Sequence, residues 1–323
     1  MVLDADALAA RRRLKRRLSL WRFVAVIAIL AVLVTAGLTS LGAGYFDRFA
    51  SHVARVDITG IITNDEKQQE LLDEIAEAEQ VKAVILRIDS PGGTTVGAEA
   101  LYDRIRKIAA DKPVVAVMGT VAASGGYLVA VAGDHIVARG NTTTGSIGVI
   151  FQWAQVEDLL TSLGVTVESV KSGPLKAVPS PFEPTTDAAR AVTQAMVDDA
   201  YDWFVGLVAE RRPFDAATAR RLADGRVYSG RQALKEGLID EIGGEAQARD
   251  WLEAERGISK DLQAVDWKVE EDDELSLVPL GLAWLARSAG LPGVANLIAS
   301  TGKTLRAERL SLDGLISVWQ APD

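Results

Sequence analysis

Cysteine is absent from the 323 residues, which excludes disulfides, thiolate metal sites and a cysteine nucleophile. Histidine is nearly absent, with only His52 and His135. His52 stands just after the N-terminal apolar segment and His135 opens a short apolar strand, HIVA, so a Ser-His-Asp triad has little to draw on. Basic residues are scarce in the body of the chain. The first 22 residues hold seven Lys or Arg and two Asp, which leaves 28 basic and 42 acidic residues after them, a net of −14. Phosphate binding needs clustered cations, so nucleic acid is excluded as the main partner. Internal repeats are missing as well.

Phe23 to Leu41 is a run of nineteen residues without a charge, directly behind the basic stretch RRRLKRRLSLWR, Arg11 to Arg22. As a helix that run nearly matches a hydrocarbon layer of about 30 Å. The positive-inside rule keeps residues 1–22 in the cytoplasm and sends the rest across the inner membrane, giving a single-pass transmembrane signal anchor at 23–41. A cleaved signal peptide is the rival reading, although its apolar core normally spans about 7–15 residues.

From Arg55 strands and helices alternate. RVDITG is a strand, and Asn64 to Gln80 is an amphipathic helix with Asn64 as its N-cap. KAVILRI, Lys82 to Ile88, is a buried strand that ends in a turn, DSPGG, Asp89 to Gly93. A helix over Gly97 to Ala110 leads to the strand PVVAVM, and HIVA, IGVIFQ and VTVESVK (Val165 to Lys171) follow as strands. A long helix covers Asp187 to Arg211. This spacing predicts an α/β fold around a largely parallel sheet. After the acidic break EEDDE, Glu270 to Glu274, the tail is a separate extension that could pack on the domain, lie on a membrane or mediate assembly.

GTVAASGGYLVA, Gly119 to Ala130, joins the strand PVVAVM to a helix through small residues only. Ser124 in that turn has no bulky neighbour, and the Gly125 amide falls at a helix N-terminus, where orphan N–H groups favour negative charge. A nucleophile beside an oxyanion donor suits acyl transfer. In DSPGG, Gly92 and Gly93 are free to present amides to a ligand at the C-terminal end of a strand. AASGG is not the G-x-S-x-G elbow of α/β-hydrolases. With histidine scarce, the base falls to a lysine, which works once burial favours its neutral form. Lys176 in KSGPLKAVPSPF stands after a turn among apolar residues and prolines. STGK, Ser300 to Lys303, lacks the companion motifs of S-x-x-K enzymes, and GKT at 302–304 has Leu297 where a P-loop needs glycine, so no cofactor is expected.

DSPGG, AASGGY, TGSIGVI (Thr144 to Ile150), KSGPLK (Lys171 to Lys176) and GRVYSGRQALKEGLIDEIGG (Gly225 to Gly244) occur together and in this order. In these motifs the chain resembles signal peptide peptidases of the SppA type, peptidase family S49, over about Val53 to Arg256. The resemblance implies a Clp protease/crotonase-like fold at 53–256, preceded by the anchor and followed by an extension at 257–323. It implies that Ser124 is the nucleophile and Lys176 the general base, 52 residues apart. Ser146 orients the lysine, and Gly125 with Gly92 or Gly93 forms the oxyanion hole. It further implies a homo-oligomeric ring acting on cleaved signal peptides left in the membrane. Ala177, where an acidic residue often follows the lysine, and His135 depart from the family pattern. A crotonase-like acyl-CoA enzyme shares the oxyanion hole but needs no anchor, and an inactive scaffold needs neither Ser124 nor Lys176.

Overall fold

The computed structural model describes residues 17, 20–21, 23–24, 27–28, 50–269 and 316–318. The chain divides into two compact units, Met1–Ser51 and His52–Asp323, and all candidate site residues lie in the second. Most of the expected span at 23–41 lies outside the described residues, among which no helix is long and apolar enough to cross a membrane.

The sheet is built on β1 (His52–Ile62), β2 (Val81–Thr94) and β3 (Val114–Ala123), paired in parallel in the order β3-β2-β1. Their apolar runs bury both faces, as a parallel sheet requires. Ala83 and Ile85 of β2 pack with Val115 on one face, while Val84, Leu86 and Ile88 pack with Val114, Ala116 and Met118 on the other. The period-two alternation of strand side chains divides one continuous VILRI-type run between two cores. α1 (Glu66–Glu77), α2 (Thr95–Asp111) and α3 (Gly125–Val131) bring their buried side chains to the larger core. The smaller core is closed by Ala248 and Leu252 of α8 (Glu245–Arg256).

Beyond β3 the sheet forks. β4 (His135–Ala138) pairs with Val115–Met118, and β5 (Thr143–Gly145) pairs with Val121–Ala123. β6 (Val227–Ser229) runs antiparallel to β5, and β7 (Glu241–Ile242) extends β4 in parallel. β8 (Ala264–Trp267) joins the far side of β1, so residues expected in the C-terminal extension complete the sheet. β9 (Ile316–Val318) lies antiparallel to the end of β2. The other helices among residues 50–269 are α4 (Glu157–Ser162), α5 (Asp187–Arg211), α6 (Ala216–Leu222) and α7 (Gly230–Lys235).

Several local expectations change. Asp65, not Asn64, caps α1, accepting from the Lys67 amide at 3.0 Å. DSPGG is no turn but the last third of β2, still paired with β1 through Gly93. Ile147 to Gln152 and Val165 to Lys171 form no strand. Val165, Val167 and Val170 are exposed, and β propensity needs a neighbouring strand to express itself. His52 is not outside the fold but opens β1, fully buried, where its Nε2 accepts from Trp267 Nε1 at 3.0 Å.

α1 ends without a basic residue in its last turn, and Lys112, after α2, fills that role. Its Nζ donates to the carbonyls of Ile75, Ala76 and Ala78 at 2.7, 2.8 and 2.8 Å. A cation at a helix C-terminus satisfies orphan carbonyls and the helix dipole together. Burial holds this ammonium's pKa below the ordinary lysine value, opposed by Asp111. Lys112→Met should therefore lower stability by about 1–3 kcal/mol in urea unfolding, because three partly buried acceptors lose their donor. Unchanged stability would mean that water replaces the ammonium at no cost.

Candidate active site

Ala123 is the last residue of β3 and its partner in β5 is Gly145. Ser124 and Ser146 therefore leave the sheet side by side. Both carry a positive φ, 55° for Ser124 and 49° for Ser146. Among the described residues only Ala177, next to Lys176, is a third non-glycine residue of this kind. Such backbones are strained and persist where the surroundings over-determine them, which concentrates them at functional sites. Here the Ser124 amide donates to the Gly145 carbonyl at 2.7 Å and the Ser146 amide to the Arg226 carbonyl at 2.8 Å.

Ser124 is the N-cap of α3, but its side chain does not cap the helix. It is 2% exposed and opens onto a cavity of about 450 Å³. Ser146, Ile147, Val149 and Ile150 line that cavity with Val197 and Tyr201 of α5 and Ala223 to Gly225. Gly125 is the first residue of α3, where backbone amides have no intrahelical acceptor. Every side chain of α3 is buried, so the helix is fixed rigidly behind the serine.

Ser90 is the residue that sequence reasoning missed. It is fully buried, donates through Oγ to the Gly60 carbonyl at 2.7 Å and accepts from the Gly92 amide at 3.1 Å. One hydroxyl thus ties β1 to the irregular end of β2, and in this state the Gly92 amide is engaged locally. The Ser90 carbonyl stands 2.6 Å from where a Cβ on Gly126 would lie, which is why AASGG needs its second glycine. Gly93 is equally committed, since a Cβ there would fall 1.8 Å from the Ile62 carbonyl. The threonines of TTTGS add two more ties, Thr142 Oγ1 to the Gly119 carbonyl at 2.7 Å and Thr144 Oγ1 to the Ala122 carbonyl at 2.6 Å. The signal for these residues was their position beside DSPGG and TGSIG, but a Ser or Thr in a turn is too common to stand out.

Lys176 does not join Ser124 within this chain. It is exposed, its amide bonds the Gly173 carbonyl at 3.1 Å, and it is absent from the cavity lining. The neighbouring Lys171 is paired with Glu183, whose carboxyl is held below the ordinary range by that bond and by Ser169. Among the described residues Lys176 makes no ion pair. His135 is stacked on Trp251 with ring centroids 4.8 Å apart and faces Asp240 and Glu241, away from the cavity lining.

The profile of peptidase family S49 matches residues 106–259, and that of Clp protease matches residues 53–144. A putative protease of Synechocystis is 36% identical over 215 residues, covering 66% of this chain and 78% of the relative. The chain belongs to peptidase family S49. A putative signal peptide peptidase SppA of Enterococcus faecium is 39% identical over 198 residues, 61% of this chain and 57% of that protein. The chloroplastic serine protease SPPA of Arabidopsis thaliana is 35% identical over 183 residues, 55% of this chain and 27% of that protein. The S49 chain is accordingly an SppA-type serine peptidase with a Clp protease-like α/β fold.

Ser90→Ala should reduce peptidase activity and lower stability by about 1–3 kcal/mol, since it strands a buried carbonyl and a buried amide. Ser90→Thr, which keeps the hydroxyl, should restore part of both. Full activity and stability in the alanine variant would remove Ser90 from the support of this site.

Proposed function

We propose that this chain is a membrane-anchored endopeptidase in which Ser124 attacks the scissile carbonyl and Lys176 takes its proton. The Oγ–carbon bond forms as the hydroxyl proton passes to Nζ. The resulting oxyanion is held by the Gly125 amide together with an amide of the Gly92-Gly93 pair. The lysine then gives its proton to the leaving amine, and water releases the acyl group from Ser124 by the same route.

The observation that carries this reading is the buried Ser124, held at positive φ between β3 and α3, with Ser146 beside it on one cavity. Lys176 enters from a neighbouring subunit in a ring. In support, it is exposed on a segment that also exposes Val170, Leu175 and Phe182, with Leu159 of α4 and Leu163 just after it exposed nearby in sequence. Covering that apolar segment would desolvate the lysine and favour its neutral form. Ser146, at the cavity, is the group that meets and orients the incoming amine. The lining of Ile147, Val149, Ile150, Val197 and Tyr201 suits apolar side chains, so the substrates are short apolar peptides, among them signal peptides left after cleavage. Residues 1–22 stay in the cytoplasm, 23–41 cross the inner membrane, and the peptidase domain works on the outer side.

Ser124→Ala and Lys176→Ala should each abolish hydrolysis without preventing assembly, and Ser146→Ala should cost less. Co-expression of the two dead variants should recover part of the activity, because some interfaces then pair an intact serine with an intact lysine. Verified mixed oligomers as inactive as either variant would place the base within one chain or on another residue. Since the base must be neutral, turnover should also rise from acid towards alkaline pH, and a flat profile would contradict a lysine.

A further inference from the structure

The cavity at Ser124 changes character from its floor to its mouth. Ser124, Ile147, Val149 and Ala223 on its lining are buried, whereas Ile150, Asp198, Asp224 and Gly225 on the same lining are exposed. Val197 and Tyr201 of α5, both half-buried, add apolar wall between the two. The Tyr201 hydroxyl donates to the Ala223 carbonyl at 2.9 Å, which ties α5 to the floor. Asp198 lies three residues before Tyr201, so the same helix that builds the wall also brings a carboxylate to the mouth.

The carboxylates of this region are not equivalent. Asp224 is offset by Arg226, whose Nε donates to both of its oxygens at 2.8 Å. Asp202, one turn beyond Asp198, is paired with Arg220 at 2.9 Å. Asp198 accepts only from the amide of Gln194, Nε2 to Oδ1 at 2.8 Å, and makes no ion pair among the described residues. An amide orients a carboxylate but brings no charge to offset it. One negative charge therefore stands uncompensated at the mouth, and the apolar walls beside it screen its field less than water does.

A wholly apolar side chain has no use for that charge. Lysine and arginine match the whole gradient, because their stems cover apolar surface while the cation stays at the wet end. We propose that Asp198 is a specificity-determining residue, which makes this cavity a pocket for a basic side chain flanked by apolar residues in the substrate. This rests on the reading of Ser124 as nucleophile, since only then does the cavity receive the peptide that is cut. The selected substrates are apolar peptides with a lysine or arginine close to the cleaved bond. A charge pair at a half-open mouth is worth about 3–10-fold in kcat/KM.

The test uses the full chain and pairs of apolar peptides that differ at one residue. One member carries lysine and the other norleucine, which keeps the stem and lacks the ammonium. The position is scanned residue by residue around the cleaved bond. At one position the unaltered protein should favour lysine by that factor, and raising the ionic strength should shrink the preference. Asp198→Asn should abolish the preference and Asp198→Lys should reverse it. The same ratio is read without turnover by fluorescence anisotropy of the labelled peptides on Ser124→Ala, with and without Asp198→Asn. A lysine preference that survives in Asp198→Asn would overturn the inference, and so would its absence from the unaltered protein at every position. An equal loss for both peptides would overturn it too, because the carboxylate would then serve the incoming amine of Lys176 and not the substrate. If turnover is absent while binding keeps an Asp198-dependent preference, the pocket stands and the failure belongs to the nucleophile assignment. If neither turnover nor binding discriminates, the pocket itself is wrong.

Discussion

The site depends on one abrupt change of backbone direction at the end of β3. A parallel strand flanked by β2 and β5 must stop, place a residue at φ 55° and begin a buried helix within two residues. Left alone, such a conformation at a non-glycine residue costs of order 1–3 kcal/mol. Here the amide of Ser124 is held by Gly145, the helix behind it is wholly buried, and Gly126 lets that helix close on the Ser90 carbonyl. Ser124 is thus placed by contacts on three sides, none of which involves its own hydroxyl as a cap. Positioning by a rigid scaffold is what a reacting group needs if its geometry is to survive substrate binding.

The same region shows how short polar side chains replace a regular ladder where strands part company. Asp89 accepts from the Val121 amide at 3.0 Å, Ser90 joins Gly60 to Gly92, and Thr144 reaches Ala122. The register between β2 and β3 slips between Ile88 and Ser90, and each of these bonds sits at or beyond that slip. Buried backbone groups must find partners, and where the sheet cannot supply them these side chains do. DSPGG therefore reads as a set of sheet ties rather than as a turn. Its aspartate and serine hold the strand ends, while its glycines let backbones approach where no Cβ fits.

A peptidase with two histidines, one buried against Trp267 and one stacked on Trp251, has committed both to structure. In the proposed mechanism the proton transfer falls instead to an amine, which must be neutral to act as base. An amine on an exposed loop is well solvated, so what favours neutrality has to come from whatever covers that loop. The exposed valines between 165 and 170 and the exposed Leu175 and Phe182 flank Lys176 in sequence, so covering the lysine would bury apolar surface as well. Activity and association are joined on this view by a single desolvation.

Much was decided by the sequence alone. Uninterrupted apolar runs bounded by small residues are enough to announce a buried parallel sheet, and Asp187 to Arg211 was legible as a helix to the residue. The small-residue run around Ser124 marked the candidate nucleophile, because only such a turn lets a backbone approach a hydroxyl closely. The segment from Ile147 to Lys171 misled, since alternation of apolar residues looks the same whether or not a partner strand exists. Only the tertiary structure decided that Ser124 and Ser146 emerge together, because strand pairing is a long-range choice that local pattern does not contain. Ser90 as the tie between strands, the displacement of Lys176 from the cavity and the seat of Ile316–Val318 on β2 were invisible for the same reason. Each is a contact between residues far apart in the chain, fixed by packing and register rather than by the residues next to them.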